Sequence, residues 1–147
     1  MMDATRSVVR LDEDDYDAIL ALWQASGLSI RPNGRDSRAA FRAQLATGVQ
    51  QVFGARAGDA LVGVVIATHD GRKGWLNRLA VHPDFRRQGI ALDLIDAAER
   101  ALQAEGLHVV AALVEGSNLP SESLLAEAGY TAHPEIRYYS KRDSADA

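Results

Sequence analysis

The segment from residue 75 to residue 114 constrains the fold more than any other part of the sequence. Residues 75–81, which end in the apolar run Leu79-Ala80-Val81, and a second apolar run at 109–114 flank residues 91–105, in which apolar side chains recur every three or four positions. This spacing predicts an amphipathic helix between two strands. Because the second run is apolar without interruption, we expect its strand to be buried. The segment therefore predicts a β-α-β unit.

The remaining elements predict a mixed sheet with helices on both of its faces, an α/β fold. Ahead of the unit are a strand at 7–11, a helix after Asp12 that ends at Gly27, a helix at 38–45 capped by Asp36 or Ser37, and strands at 51–56 and 60–68 joined as a hairpin. After the unit are a helix at 120–128 and two closing strands, one from Tyr130 onward and one at 137–141. The hairpin and the β-α-β unit together favour a mixed sheet over an all-parallel one.

Composition is that of an ordinary globular chain. The 147 residues, 47% of them hydrophobic, suit one domain over residues 1–147, with residues 143–147 as a flexible tail. A net charge of -4 argues against nucleic acid as a partner. Cysteine is absent, which excludes disulfides and thiolate chemistry, and no spacing of metal ligands occurs. With no signal-peptide run and no membrane-length apolar run, we expect a soluble, cytoplasmic protein without a membrane partner.

The turn that leads into the long helix, HPDFRRQGIA at residues 82–91, has the features of a phosphate site. A helix N-terminus presents unpaired backbone N–H groups and positive potential, which suit an anion. Gly89 and the small Ala91 let the backbone approach a bulky ligand, and Arg86 and Arg87 add charge. The alternative is that Gly89 serves a tight turn and both arginines are solvated. The β-α-β context favours the phosphate site.

At these residues the sequence resembles the acetyl-CoA-binding motif of the GNAT superfamily of N-acetyltransferases. That motif is a strand ending in L-x-V-x-P, then [RQ]-x-x-G-x-[GA] and a helix, and the matching residues here are Leu79, Val81, Pro83, Arg86, Gly89 and Ala91. Residues 8–23 and 118–130 resemble the family's opening strand and helix and its segment of asparagine, short helix and glycine-aromatic pair. The Arg31-Pro32 pair resembles small bacterial single-domain members.

The resemblance implies a GNAT fold, in which a bulge splays one strand pair to hold acetyl-CoA. The pantetheine arm would pair with the strand backbone, a backbone N–H near Leu79 would act as oxyanion donor, and the pyrophosphate would lie on the amides that follow Arg86. Asn118 would reach the cofactor from the neighbouring strand end. The implied cofactor-binding residues are Leu79, Ala80, Val81, Arg86, Arg87, Gln88, Gly89, Ile90, Ala91 and Asn118.

The implied reaction is direct attack of a primary amine, from a small molecule or a peptide, on the acetyl thioester, without a metal. Most of the rate would come from positioning, together with two proton transfers. Three alternatives remain open: another acyl-CoA, a protein N-terminus as acceptor, or a CoA-binding module with a regulatory or no catalytic role. Family members often form homodimers, and a homodimer is possible here as well.

The familiar proton carriers of the family are absent. Leu125 occupies the position of its tyrosine acid, and Leu113 occupies one position of its glutamate base. Glu115, at the end of the buried strand, is therefore a candidate base that could act through a water, although an ordinary solvated carboxylate at a strand end is the favoured alternative. Tyr138 and Tyr139, as neighbours on a strand, would face opposite sides, so one of them could serve as the acid.

The loop after the first helix carries the candidate acceptor residues. In the family this loop borders the acceptor site, which makes Arg31 and Asn33 candidate substrate-binding residues. An arginine there would suit an acceptor that bears a carboxylate or a phosphate. The equally weighted alternative is a solvated loop arginine.

Overall fold

Five strands form one mixed sheet, in the order β1-β2-β3-β4-β5. The computed structural model describes residues 6–114 and 118–147. The strands are β1 (Arg6–Leu11), β2 (Gln50–Ala57), β3 (Ala60–His69), β4 (Gly74–Val81) and β5 (Val110–Ala112). Strands β1 to β4 pair antiparallel in sequence order, whereas β4 and β5 run parallel. The predicted mixed sheet is confirmed.

Helices cover both faces of this sheet, as predicted. They are α1 (Tyr16–Ala25), α2 (Arg38–Ala46), α3 (Ile90–Ala104) and α4 (Leu119–Glu127), with 3-10 turns at Glu13–Asp15 and Pro83–Phe85. On one face, α1 and α2 bury Trp23 and Phe41 against Val64 of β3. On the other face, α3 buries Leu94 and Ile95 against the opposite side of the same strands. Each face of the sheet therefore has its own apolar core.

Of the two candidate cap residues of α2, Ser37 caps the helix and Asp36 does not. Ser37 is the N-cap, and its hydroxyl accepts a hydrogen bond from the Ala40 amide at 3.1 Å. A serine oxygen in this position satisfies one of the unpaired amides of the first turn. Asp36 is free of the capping role, and its side chain turns instead toward the loop before it and toward β4.

The two predicted closing strands are wrong. Residues 128–147 contain neither a strand nor a helix. A strand requires a neighbour that completes its hydrogen-bond ladder, and β5, at the edge of the described sheet, spans only Val110–Ala112. Tyr138 and Tyr139 are 68% and 85% exposed, so their rings cover no core surface that would stabilise such pairing.

Gly63 brings the first turns of α3 close to the sheet. A Cβ atom at this glycine would lie 2.9 Å from Ile90 Cγ2 and 2.9 Å from Leu94 Cδ1. A Gly→Ala change with no steric conflict stabilises a protein by roughly 0.4–1 kcal/mol. Overpacking of this kind costs about 1–3 kcal/mol.

We therefore expect Gly63→Ala to lower the free energy of unfolding by about 1 kcal/mol or more, measured by urea denaturation. Its backbone is not in the left-handed region, so strain in φ does not contribute. Stability equal to or above that of the wild type would contradict this close contact between α3 and β3.

Candidate functional site

The parallel strands β4 and β5 separate after a short shared segment. Their pairing joins Gly74 to Val110, Trp75 to Ala111 and Leu76 to Ala112. The rest of β4, from residue 77 to residue 81, has no partner in β5. The second half of β4 therefore has an unpaired backbone edge on its β5 side, at the carboxyl ends of the two parallel strands, and we call the region beside this edge the β4–β5 opening.

A bulge in β4 lies at the same point. Val64 of β3 pairs with Ala80, and Ile66 pairs with Asn77. One residue of β3 thus faces two residues of β4, Arg78 and Leu79. Arg78 has φ +54°, a left-handed conformation that a residue with a side chain adopts rarely. The backbone amides of Arg78 and Leu79 therefore lie where neither neighbouring strand has a paired residue.

Contacts on the α1 face hold Arg78 in this unusual conformation. Its Nη2 donates to Asp36 Oδ2 at 2.7 Å, and its Nη1 donates to the carbonyl of Ser29. Its guanidinium also lies over the ring of Trp23, 5.8 Å from the ring centroid. Only 18% of the Arg78 side chain and 8% of the Asp36 side chain are exposed. The ion pair is thus largely buried, where charged groups need such partners.

Asp36 also closes the loop between α1 and α2, residues 26–37, which we call the α1–α2 loop. The same oxygen, Oδ2, accepts a hydrogen bond from the Arg31 amide at 2.6 Å. The Asp36 amide donates to the Arg31 carbonyl at 2.9 Å. The Tyr16 hydroxyl donates to the Asp36 carbonyl at 2.6 Å. One carboxylate therefore fastens both the α1–α2 loop and the bulge of β4.

Burial, one carboxylate and two further arginines act on the charge of Arg78. Burial lowers the pKa of the Arg78 guanidinium, and Asp36 opposes that shift. The nearby guanidinium groups of Arg35 and Arg31 lower the pKa of Arg78 further. Arginine nevertheless stays protonated at any physiological pH. The α1–α2 loop thus brings positive charge to the side of the opening that faces α1.

The turn before α3 has the backbone geometry of an anion site. Arg87 has φ +64° and Gly89 has φ +80°. Left-handed residues next to right-handed or extended ones direct successive N–H groups toward one point, which favours an anion there. Gly89 is also the N-cap of α3 and has no side-chain capping bond, so the helix N-terminus is not closed by its own cap.

Space and charge at this turn also fit a pyrophosphate. A Cβ atom added to Gly89 would meet no atom within 4 Å, so the region next to the glycine is open. Residues 86–89 are exposed. The Arg86 Nε donates to the carbonyl of Val81 at 3.3 Å, which places this guanidinium beside the end of β4. The residues present therefore suit the phosphate groups of CoA.

The other residues predicted for the site have different surroundings. Asn118 is the N-cap of α4, and its Oδ1 accepts a hydrogen bond from the Ser121 amide at 3.2 Å. Its cofactor role stays a prediction. Glu115 lies outside the described residues. Tyr138 and Tyr139 lie on no strand, so the alternation that predicted one ring in the opening does not apply.

Leu125 and Tyr130 both belong to the packing around α3. Leu125, at the family's tyrosine position, packs against the core on the α3 face. The Tyr130 hydroxyl donates to Glu99 Oε2 at 2.5 Å. Burial and the neighbouring Glu99 carboxylate raise the pKa of Tyr130 above its ordinary value. A phenol with a raised pKa is a poor proton donor, so Tyr130 is not a substitute for the missing acid.

Sequence reasoning missed Arg78 and the second task of Asp36. The polar pair Asn77-Arg78 interrupts an otherwise apolar strand, WLNRLAV, and this interruption was the available signal for the bulge. The partnership between Asp36 and Arg78 spans 42 positions. No local pattern connects residues so far apart.

The described part of the chain contains neither a membrane-spanning helix nor a metal-binding group of side chains. Within residues 6–114 and 118–147, no helix has the length and apolar character needed to cross a bilayer. Over the same residues, no group of three or more histidine, aspartate or glutamate side chains is arranged to hold a metal ion.

The known proteins that this chain resembles are acetyltransferases. A family model described as "Acetyltransferase (GNAT) family" matches residues 16–130. The acetyltransferase SG1711 of Sodalis glossinidius is 29% identical over 129 residues, 88% of this chain and 89% of the relative. The acetyltransferase ECA0875 of Pectobacterium atrosepticum is 33% identical over 106 residues, 72% and 74% of the two chains.

Solved structures share this fold. The structure of AAC(6')-Iy in complex with the bisubstrate analogue CoA-S-monomethyl-acetylneamine superimposes with a TM-score of 0.78. The two chains are 20% identical, and the match covers 93% of this chain and 98% of the other.

Proposed function

The chain belongs to the acetyltransferase (GNAT) family, and on that basis we propose that it moves an acetyl group from acetyl-CoA to a primary amine of a small molecule or peptide. The observation that carries this proposal is the coincidence of three features along one strand and its turn. The bulge at Arg78, the end of β4 that has no partner in β5 and the anion site before α3 follow one another in the order in which the acetyl, pantetheine and pyrophosphate groups occur in acetyl-CoA.

In this proposal the backbone of β4 binds the thioester. The amide of Leu79, next to the bulge, donates a hydrogen bond to the thioester oxygen and stabilises the negative charge that develops there. The backbone from Leu79 to Val81 pairs with the pantetheine arm. The amides from Arg87 to Ala91, with the Arg86 and Gln88 side chains nearby, hold the pyrophosphate at the start of α3.

The reaction is one substitution at the acetyl carbon. The neutral amine nitrogen forms a bond to the thioester carbonyl carbon, the carbon–sulfur bond breaks, the nitrogen gives up one proton to become the amide, and CoA leaves as a thiolate that takes up a proton. The attacking amine must first lose a proton, and Glu115 stays the predicted base. Arg31 and Asn33, on the α1–α2 loop, are the proposed contacts of the acceptor, because this loop is fastened to the bulge.

A screen of primary amines with acetyl-CoA tests this function. Because the chain has no cysteine, a thiol reagent reports only the free CoA that turnover releases. We expect thiol release that depends on both the enzyme and an amine. Tight binding of CoA without thiol release from any amine or peptide N-terminus would favour a binding module instead. Arms with propionyl-CoA and succinyl-CoA test the identity of the acyl group.

The acid role of Tyr138 or Tyr139 is a separate prediction. General acid catalysis contributes roughly 10²–10⁴-fold to rate. We therefore expect Phe at the acting tyrosine to lower kcat about a hundredfold while leaving the affinity for CoA unchanged, and Phe at the other position to change neither. Wild-type kcat in both single variants and in the double variant would eliminate both tyrosines.

The setting of the reaction is also proposed. We propose a cytoplasmic location, because acetyl-CoA is a cytoplasmic metabolite, and cell fractionation tests this. A single domain over residues 1–147 predicts that limited proteolysis removes no more than the last residues. The predicted homodimer is tested by light scattering of the purified protein.

A further inference from the structure

We propose that Arg31 and Arg35 bind an anionic group of the acceptor, so that the preferred amine carries a carboxylate or a phosphate. This inference rests on the proposed acetyl transfer and adds the chemical class of the acceptor. Four features of the described residues support it: the position of the α1–α2 loop, its charge, an unpartnered buried nitrogen and the contrast with acceptors of related structures.

The α1–α2 loop lies next to the proposed thioester site. Arg78 adjoins Leu79, whose amide is the proposed oxyanion donor. From that point the Arg78 side chain reaches Asp36 and Ser29, so the α1–α2 loop is held against the bulge by two side-chain contacts. An amine that attacks a thioester at the bulge approaches next to this loop. A group a few bonds away from the amine would then lie within reach of the loop arginines.

Positive charge predominates where the α1–α2 loop meets the bulge. The α1–α2 loop carries Arg31 and Arg35 close enough to Arg78 for their guanidinium groups to act electrostatically on it, and only the Asp36 carboxylate opposes these three charges. That carboxylate is already paired with Arg78 at 2.7 Å. Among the described residues, neither Arg31 nor Arg35 forms an ion pair with a carboxylate. The cluster therefore carries a net positive charge that an acceptor anion would neutralise.

The Arg31 guanidinium makes few hydrogen bonds within the protein. Its Nε is buried and has no hydrogen-bond partner within the described structure. Its Nη1 donates only at 3.3 Å, to Ser29 Oγ and to the Ile30 carbonyl. A guanidinium offers five N–H donors in a planar fork that matches a carboxylate or phosphate. The Arg31 guanidinium is thus held only by contacts of 3.3 Å, so it can turn toward an acceptor anion without losing a strong hydrogen bond.

The charge beside the β4–β5 opening does not suit the acceptor class of AAC(6')-Iy, an aminoglycoside N-acetyltransferase. The AAC(6')-Iy structure contains an analogue built on acetylneamine, an aminoglycoside. Aminoglycosides carry several amino groups and are cationic at neutral pH. Three arginines beside the opening would repel such an acceptor, because like charges in a partly buried site are unfavourable. The shared fold therefore does not extend to a shared acceptor class.

Matched acceptors test this inference directly. The panel is 4-aminobutanoate, 3-aminopropylphosphonate, 4-aminobutanamide and 1,4-diaminobutane, all assayed by thiol release at saturating acetyl-CoA. The four amines are similarly basic and differ mainly in the charge of the distant group. We expect kcat/KM for at least one of the two anionic amines to exceed that for the amide by about tenfold, and the diamine to be poorest. The two anionic arms distinguish carboxylate from phosphate recognition.

Variants separate charge recognition from general damage. In Arg31→Gln/Arg35→Gln we expect the preference for the anionic amine over the neutral amide, taken as the ratio of their kcat/KM values, to fall to about twofold or less, with the affinity for CoA unchanged. Arg10→Gln is the matched control, because this exposed arginine lies on β1, three strands away from β4, and it should keep the full preference.

Each remaining outcome decides against the inference. An amide or diamine that reacts as well as the anionic amines, or a preference that survives in the double variant, contradicts the anion subsite and leaves acetyl transfer intact. Absence of turnover with every amine, despite CoA binding, contradicts the proposed function and the subsite together.

Discussion

Gly89→Glu is expected to abolish acetyl-CoA binding while the protein stays folded. The glycine has φ +80°, and a Cβ atom added to it would meet no atom within 4 Å. A glutamate side chain would therefore project into the space that we assign to the pyrophosphate. Its negative charge at the helix N-terminus would occupy the potential that favours phosphate. We expect the affinity for CoA to fall at least a hundredfold, about 2.7 kcal/mol.

Gly106→Glu is the matched control for this change. Gly106 follows α3 at its other end, also has positive φ (+86°), and has equally open surroundings. Both substitutions place the same side chain in a left-handed backbone, which costs roughly 1–2 kcal/mol. Calorimetric titration with CoA should show loss of binding only in Gly89→Glu, and circular dichroism should show that both variants are folded. Equal CoA affinity in the two variants would contradict the phosphate assignment.

Among the substitutions that we propose, removal of the Asp36 carboxylate is expected to lower the free energy of unfolding most. In Asp36→Leu the Arg78 guanidinium, 18% exposed, would lose its ion-pair partner. Breaking a buried pair from one side costs about 3–5 kcal/mol, because an uncompensated charge stays behind. The Arg31 amide would lose its acceptor as well. We therefore expect a loss near 3 kcal/mol, measured by urea denaturation.

The double variant Asp36→Leu/Arg78→Met tests the reason for that loss. Replacing both charges by apolar groups of similar size is often close to neutral for stability, so much of the loss should be recovered. Arg56→Met is the control, because Arg56 and Asp15 form a more exposed pair at 2.8 Å, with 31% and 22% of their side chains exposed. We expect it to cost about 1 kcal/mol or less. An Asp36→Leu variant as stable as Arg56→Met would show that the Arg78–Asp36 pair contributes little.

The local parts of the fold could be predicted because their signals are local. The apolar periodicity of residues 91–105 predicted α3, whose bounds are Ile90–Ala104. The Gly89 turn could be interpreted because a phosphate site at a helix N-terminus depends on backbone groups within a few residues. The hairpin of β2 and β3 was predicted from its strand propensity and its turn.

Contacts between distant residues could not be predicted in the same way. The sequence of β4 shows that a polar pair interrupts the strand, but not that Arg78 is bulged or that Asp36 binds it. The closing strands failed for a related reason. Tyr138 and Tyr139 have strong strand propensity, yet propensity alone does not create a partner strand. The contact between Arg78 and the α1–α2 loop is of this long-range kind, which is why Arg78 is recognised as part of the candidate site only through the structure.

The closed base of the α1–α2 loop has a consequence for how acceptor preference can change. Two hydrogen bonds connect the ends of the segment from Arg31 to Asp36: the Asp36 amide donates to the Arg31 carbonyl, and the Arg31 amide donates to Asp36 Oδ2. The same Oδ2 accepts a hydrogen bond from Arg78 in the bulge. Gly34 lies against the backbone of Asp146, and a Cβ atom added to it would collide with the Asp146 carbonyl oxygen, so this position must stay a glycine. Residues 32, 33 and 35 are therefore the exchangeable positions of a loop whose base is closed. Libraries confined to these three positions could change which amines are accepted and leave the acetyl-CoA site untouched. Natural divergence among relatives could follow the same route.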